Sequence, residues 1–281
     1  ARKTLGIAAA LPMTLLVVAL VEQRDRSLSE IVAGQPLFYA VLLALIVVGS
    51  VARGTERATS DVDVYLVVTD EAFAAAQSAR RVAYIYTEAA IYDSYVDIKL
   101  ASPRYLERAV AHADDPTRAS FLDARIVFDH TGSMAATVAR IVTLPDDFWQ
   151  RRVHAYRCQA RLYGGYFLQQ AYERNDRFLL QHSAVHLCFA VGRVALAVNL
   201  RLFRGQKYLA ATLAELANLP DGFLSAWQGV LADPTPDSAA VLTDIVDTWQ
   251  NGPLNLDDTL STFIIDNELA WLNGTIPPEF W

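Results

Sequence analysis

Asp61 and Asp63 open the apolar run 64–68, and Gly49-Ser50 closes an earlier apolar run, 44–48. Alternate residues of a strand face one side, so Asp61 and Asp63 would project their carboxylates together. Two carboxylates held side by side repel each other unless a cation sits between them, and hard oxygen donors of this type suit Mg²⁺. Gly49 lets the backbone turn and leaves no side chain in the way of a ligand. Ser50 and the amides after it can face an anion, because the start of a helix presents unpaired N–H groups. A phosphate-facing turn beside a Mg²⁺ site is the equipment for moving a phosphoryl-type group. Further along, Val96-Asp97-Ile98-Lys99-Leu100 alternates, with Asp97 and Lys99 on one face and the three apolar residues on the other.

The elements that must hold these groups are a strand over 44–48, a tight turn with a short polar helix or loop, and a second strand carrying Asp61 and Asp63. A helix is expected over 71–81, with Asp70 as its N-cap. Strands are expected over 82–86 and 95–100, both rich in β-branched and aromatic residues. A helix over 103–113 should stop at the breaker Asp114-Asp115-Pro116. An extended piece over 124–128, turn chemistry at Asp129-His130-Thr131-Gly132 and a helix over 133–141 complete this half. Leu144-Pro145 followed by Asp146 and Asp147 reads as a domain boundary and a helix start. Beyond it the apolar spacing is helical throughout, over 148–175, 177–202, 206–217, 222–231, 238–249 and 257–272, with Asn273-Gly274 as the last stop.

The first fifty residues are unusually apolar. Residues 5–21 and 31–52 carry no charge, and by hydropathy alone they pass for membrane spans. The second run is split by Gly34, Gln35 and Pro36, and its end must deliver Gly49-Ser50 to a water-facing site. The expectation is therefore a packed helix over 11–29, not a membrane anchor, with a homodimer contact as one use for its apolar surface.

The chain of 281 residues carries 24 basic and 31 acidic side chains, a net charge of −7, which argues against generic duplex binding. Charge is segregated: residues 151–207 hold ten Lys/Arg against Glu173 and Asp176, whereas 208–281 hold eleven Asp/Glu and no Lys or Arg. Either the two segments meet different partners or they pair with each other. Cys158 and Cys188 lie in apolar helical contexts and read as free buried thiols of a reducing, cytoplasmic compartment.

Gly49-Ser50, Gly54 and Ser60-Asp61-Val62-Asp63 together resemble the glycine-serine and Asp-x-Asp pattern of the polymerase-β-like nucleotidyltransferase superfamily. The chain is similar to its bacterial two-domain members, the aminoglycoside and lincosamide nucleotidyltransferases. The resemblance implies a two-domain α+β protein: a nucleotidyltransferase domain over 1–144 with a mixed sheet, and a helical substrate-binding bundle over 145–281. It implies a third carboxylate on a neighbouring strand, for which Asp97 is best placed, Asp93 being its neighbour in a more turn-like context. It implies two Mg²⁺ ions on Asp61, Asp63 and Asp97, an NTP gripped by Gly49 and Ser50, and transfer of a nucleoside monophosphate, AMP from ATP, to a hydroxyl. Arg53 is a phosphate contact or a solvated arginine. Lys207, after the Arg204-Gly205 turn, resembles a family lysine that meets the triphosphate, and Asn199 a recurring asparagine of the same stretch.

A small polar acceptor such as an antibiotic would suit the carboxylates after residue 208. A tRNA or protein acceptor would instead use the basic segment, and a non-catalytic nucleotide-binding protein is the third class. Arg177 and His182 have an Arg-x4-His spacing found in some helical ribonucleases, and His182 and His186, one turn apart, could hold a metal or form a polar helix face. Trp149, Tyr156, Tyr163, Tyr166 and Tyr172 read as core and interface of one long helix.

Overall fold

The runs LLALIVV and VDVYLVV are short, apolar and β-branched, and they form β1 (Leu42–Val48) and β2 (Val62–Val68), paired antiparallel. The computed structural model describes residues 42–86 and 95–281. The expected helix over 11–29, most of the 31–52 run and Asp93 lie outside these. The end of that run, Leu42–Val48, is a buried sheet strand.

The fold is α+β, in two compact units. The first takes the described residues up to Ala113 together with Thr117–Thr143; the second takes Asp114–Pro116 and Leu144–Trp281. In the first unit β1, β2, β3 (Ala83–Tyr86), β4 (Val96–Ala101) and β5 (Arg125–Asp129) form a sheet in the order β3-β4-β2-β1-β5. β2 and β4 are parallel and the other pairs antiparallel, so the sheet is mixed. Both faces are apolar. Leu45, Val47, Val62, Val64, Leu66, Ile98 and Leu100 share one core cluster with Phe73 packed on it. Ala44, Ile46, Val48, Tyr65, Val67 and Ala101 share the other with Leu106, Phe121, Met134, Val138 and Ile141.

Between β1 and β2 lies the short helix α1 (Gly49–Arg53), ended by Gly54 in the left-handed region. α2 (Asp70–Ser78) is capped by Thr69, whose hydroxyl accepts from the Ala72 amide; Asp70 is the first helical residue and not the cap. α3 (Pro103–His112) follows β4. Asp114-Asp115-Pro116 does not only break it: α4 (Asp115–Ser120) starts there, since a proline in a first turn has no intrahelical amide to lose. α5 (Met134–Val142) closes the unit.

The second unit is helical. The expected single helix over 148–175 is α6 (Asp146–Arg161), a π-turn over Leu162–Phe167, and α7 (Leu168–Glu173). Trp149 and Tyr156, on one face of α6, are core, while Tyr166 and Tyr172 are exposed. Gly164 lets the turn pack closely on Leu187, whose Cδ1 would lie 3.1 Å from an added Cβ. Leu187 belongs to α8 (Arg177–Val198), which is long and apolar enough to cross a membrane, yet is mostly buried as the central helix of this unit. α9 (Gln206–Ala214), α10 (Phe223–Ala232) and α11 (Pro236–Trp249) pack round it, α12 (Leu256–Phe263) packs on α6, and α13 (Ala270–Asn273) ends at Gly274 in the left-handed region.

The segregated charges meet within this unit. Arg157 and Arg161 both bridge to Asp247, at 2.9 and 2.8 Å. Arg152 and Arg193 are buried against Asp115. Cys158 and Cys188 are free and buried, and burial pushes the Cys188 thiol up to about 12.

Candidate active site

Parallel pairing sets β2 beside β4 with Asp63 opposite Asp97 and Tyr65 opposite Lys99. The face of β2 that sends Tyr65 and Val67 into the core therefore presents Asp63 at its beginning, and β4 presents Asp97 beside it. Lys99 reaches back to both: its Nζ lies 3.1 Å from Asp97 Oδ2 and 3.8 Å from Asp63 Oδ1. The two carboxylates are thus within 4 Å of one nitrogen, each about one-quarter exposed.

Gly49 fits against Asp63. Its φ is +74°, and a Cβ there would collide with Asp63 Oδ2 and stand 3.1 Å from Cγ. Only glycine combines this conformation with so close an approach. Ser50 follows in α1, and its carbonyl accepts from the Thr55 amide at 3.0 Å. Arg53 ends the same helix. Ser60 fixes the entry to β2, accepting from the Arg57 amide through its hydroxyl and donating its own amide to the Arg57 carbonyl, both at 2.9 Å. The Val62 amide then donates to the Tyr95 carbonyl, so β2 and β4 begin together.

Asp61 engages Tyr95. Its hydrogen bond and charge raise the Tyr95 phenol, with Asp97 and Asp63 adding to the effect. Partial burial pulls the Lys99 ammonium down, but the hydrogen bond and charge of Asp97, joined by Tyr65 and Asp63, outweigh it and leave Lys99 raised. Each carboxylate of the trio therefore has a partner from the protein itself.

Lys207 belongs to the second unit, near the start of α9, with its ammonium 4.8 Å from the Tyr208 ring centroid. Asn199 caps α8: its amide donates to the Ala195 and Asn218 carbonyls and its oxygen accepts from the Asn218 amide. The His182 and His186 rings lie 4.1 Å apart and tilted at 41°, and His186 stacks on Tyr163. Among the described residues no group of three or more His, Cys, Asp or Glu side chains gathers as a metal cluster.

Residues 37–127 match the model of the nucleotidyltransferase domain family. Over that stretch, about a third of the chain, the sequence is similar to a nucleotidyltransferase domain. The chain also shows a likeness to the crystal structure of a nucleotidyltransferase-like protein from Exiguobacterium sibiricum 255-15, with 9% identity, a TM-score of 0.47, and 85% of this chain and 79% of that one covered. No curated protein matches the chain.

The donor set of the nucleotidyltransferase domain fits a hard divalent cation in chemistry. Asp63 and Asp97 are paired in register on neighbouring strands, Asp61 lies two residues before Asp63, and Gly49 keeps the space beside Asp63 Oδ2 clear of a side chain. Tyr95 partners Asp61, and Lys99 partners both Asp63 and Asp97. Tyr95 went unnoticed in the sequence, although it precedes Asp97 by two and shares its parity. Arg125 also went unnoticed: it pairs with Val47 at the start of β5, and its Nη2 lies 3.9 Å from the place of a Cβ on Gly54. Only knowledge that β5 pairs with β1 could have pointed to it.

Proposed function

We propose that the chain transfers a nucleoside monophosphate, AMP from ATP, to a hydroxyl of a small polar acceptor. One observation carries this: Asp63 and Asp97, in register on adjacent parallel strands, stand beside a glycine that has no room for a side chain. The acceptor oxygen forms a bond to the α-phosphorus, the bond from that phosphorus to the leaving pyrophosphate breaks, and the hydroxyl proton passes to a base. Asp61, Asp63 and Asp97 would hold two Mg²⁺ ions, which when bound neutralise phosphate charge and acidify the acceptor hydroxyl. Asp97 orients the acceptor hydroxyl and draws its proton. Gly49 and the Ser50 amide grip the β/γ-phosphates, and Arg53 balances the charge that develops on them. Positioning and charge supply most of the rate, as phosphoryl-type transfer asks little covalent chemistry of a protein.

Acceptor choice is assigned to the helical unit. Its buried arginines favour a small molecule over tRNA: Arg152, Arg157 and Arg193 are turned to internal carboxylates and not to solvent. Incubation with Mg²⁺ and each labelled NTP, against a panel of aminoglycosides and lincosamides and against total tRNA, tests the reading. Label should appear on a small molecule and fall by at least about 10²-fold in Asp63→Asn. Equal labelling by that variant would end the enzymatic assignment. Label on tRNA, falling steeply with salt, would move the function to the nucleic-acid class.

A further inference from the structure

The Asp63–Asp97 pair already has a cation, supplied by the chain. Lys99 leaves β4 two residues after Asp97, on the same face, and its ammonium lies within 4 Å of both carboxylates. Two carboxylates on adjacent strands would repel each other, and this ammonium removes that repulsion without any bound ion. The Lys99 side chain is 44% exposed, and four flexible methylenes carry its charge, so it can swing to solvent without breaking the sheet. An arginine there, with a planar fork suited to two carboxylates, would be harder to dislodge.

We propose that Lys99 is a displaceable internal counter-ion: it holds Asp63 and Asp97 together in the metal-free protein, and it must leave them when a divalent cation binds. Occupancy by the ammonium and occupancy by the cation exclude each other, because two like charges cannot share a gap of this size. This rests on the reading of Asp63 and Asp97 as cation ligands. Its consequence is a site that stays ordered while empty and admits metal against a threshold set by the lysine. The released ammonium would then be available to negatively charged groups arriving with the cation.

Mn²⁺ binding to the full chain, without nucleotide and followed by electron paramagnetic resonance, gives the test. Lys99→Met should bind Mn²⁺ about tenfold more tightly than wild type, as expected for removing one competing unit charge from the site. Lys99→Arg should bind no better than wild type. Unchanged or weaker binding by Lys99→Met, with binding still lost in Asp63→Asn, would overturn the counter-ion role and leave the metal site standing. Binding that survives in Asp63→Asn would remove the metal-site reading itself, and the proposal with it. Should Lys99→Met fail to fold, the wild-type chain decides, since it has three lysines, Lys3, Lys99 and Lys207. Mg²⁺ should raise acylation of Lys99 several-fold relative to Lys207, as read by peptide mass; no rise, or protection, would refute displacement.

Discussion

Gly49 shows how one missing methyl can determine a site. Its φ of +74° already disfavours any residue with a Cβ, and the Asp63 carboxylate occupies the place that Cβ would take. Gly132 has a similar φ, +70°, but nothing within 4 Å of an added Cβ. The pair separates backbone strain from the clash. Gly132→Ala should cost roughly 1 kcal/mol of stability, and Gly49→Ala roughly 1–3 kcal/mol more, because Asp63 has to move. Denaturant titration of both variants measures this, and an equal loss would mean that Asp63 yields freely. If the proposed site is right, Gly49→Ala also weakens Mn²⁺ binding whereas Gly132→Ala leaves it unchanged.

At the scale of elements, Asp129 joins β5 to α5. Its Oδ1 accepts from the Thr131 and Gly132 amides and the Thr131 hydroxyl, and its Oδ2 from the Met134 amide at the start of the helix. Burial alone would raise its pKa, but these donors, the Met134 amide foremost, hold it below the ordinary carboxylate value. A lowered folded value means that the ionised form supports the fold. The stabilisation is complete above the unfolded carboxylate pKa, about 4, and is lost as pH falls through the lower folded value. Asp129→Ala should therefore cost about 1–2 kcal/mol at neutral pH, and the gap to wild type should shrink in acid. Urea titrations at pH 7 and pH 3 check this; a gap that widened at pH 3 would contradict it. The Asp129–Gly132 turn was readable from residue types alone, because Asx chemistry is local. So were the strand–turn–strand around Gly49 and the shared face of Asp97 and Lys99, both written in alternation and apolar runs. The pairing of β5 with β1, which brings Arg125 near Gly54, was not readable, since strand order depends on packing across long loops. Nor was the π-turn at Leu162–Phe167: one extra residue in a helical period leaves no mark in composition. Asp70 looked like a cap because it is a good cap residue; Thr69, one place earlier, took the role with its own hydroxyl.

At the scale of the whole molecule, the charge segregation along the chain becomes an internal bonding pattern. The arginines of 151–207 that are buried face carboxylates of the same unit, Asp247 for Arg157 and Asp115 for Arg152 and Arg193. Asp115 is the extreme case, 3% exposed between two guanidinium groups. Arg193 is 1% exposed, its Nε and Nη1 have no hydrogen-bond partner, and its guanidinium lies over the rings of Tyr156 and Phe203. Such an arrangement is costly to disturb on one side only. Removing Asp115 would leave two buried cations facing each other, whereas removing all three charges would leave a cavity that apolar side chains can fill. Asp115→Ala should thus destabilise the helical unit by roughly 3–5 kcal/mol, and Asp115→Leu combined with Arg152→Met and Arg193→Met should recover much of that loss. The readout is specific to this unit, because all five tryptophans, Trp149, Trp227, Trp249, Trp271 and Trp281, lie in it. Tryptophan fluorescence during urea unfolding should show the single variant's midpoint falling well below that of the triple variant. If the triple variant proved the weaker of the two, the ion cluster would be holding the unit together by net attraction, and the argument from uncompensated charge would fail.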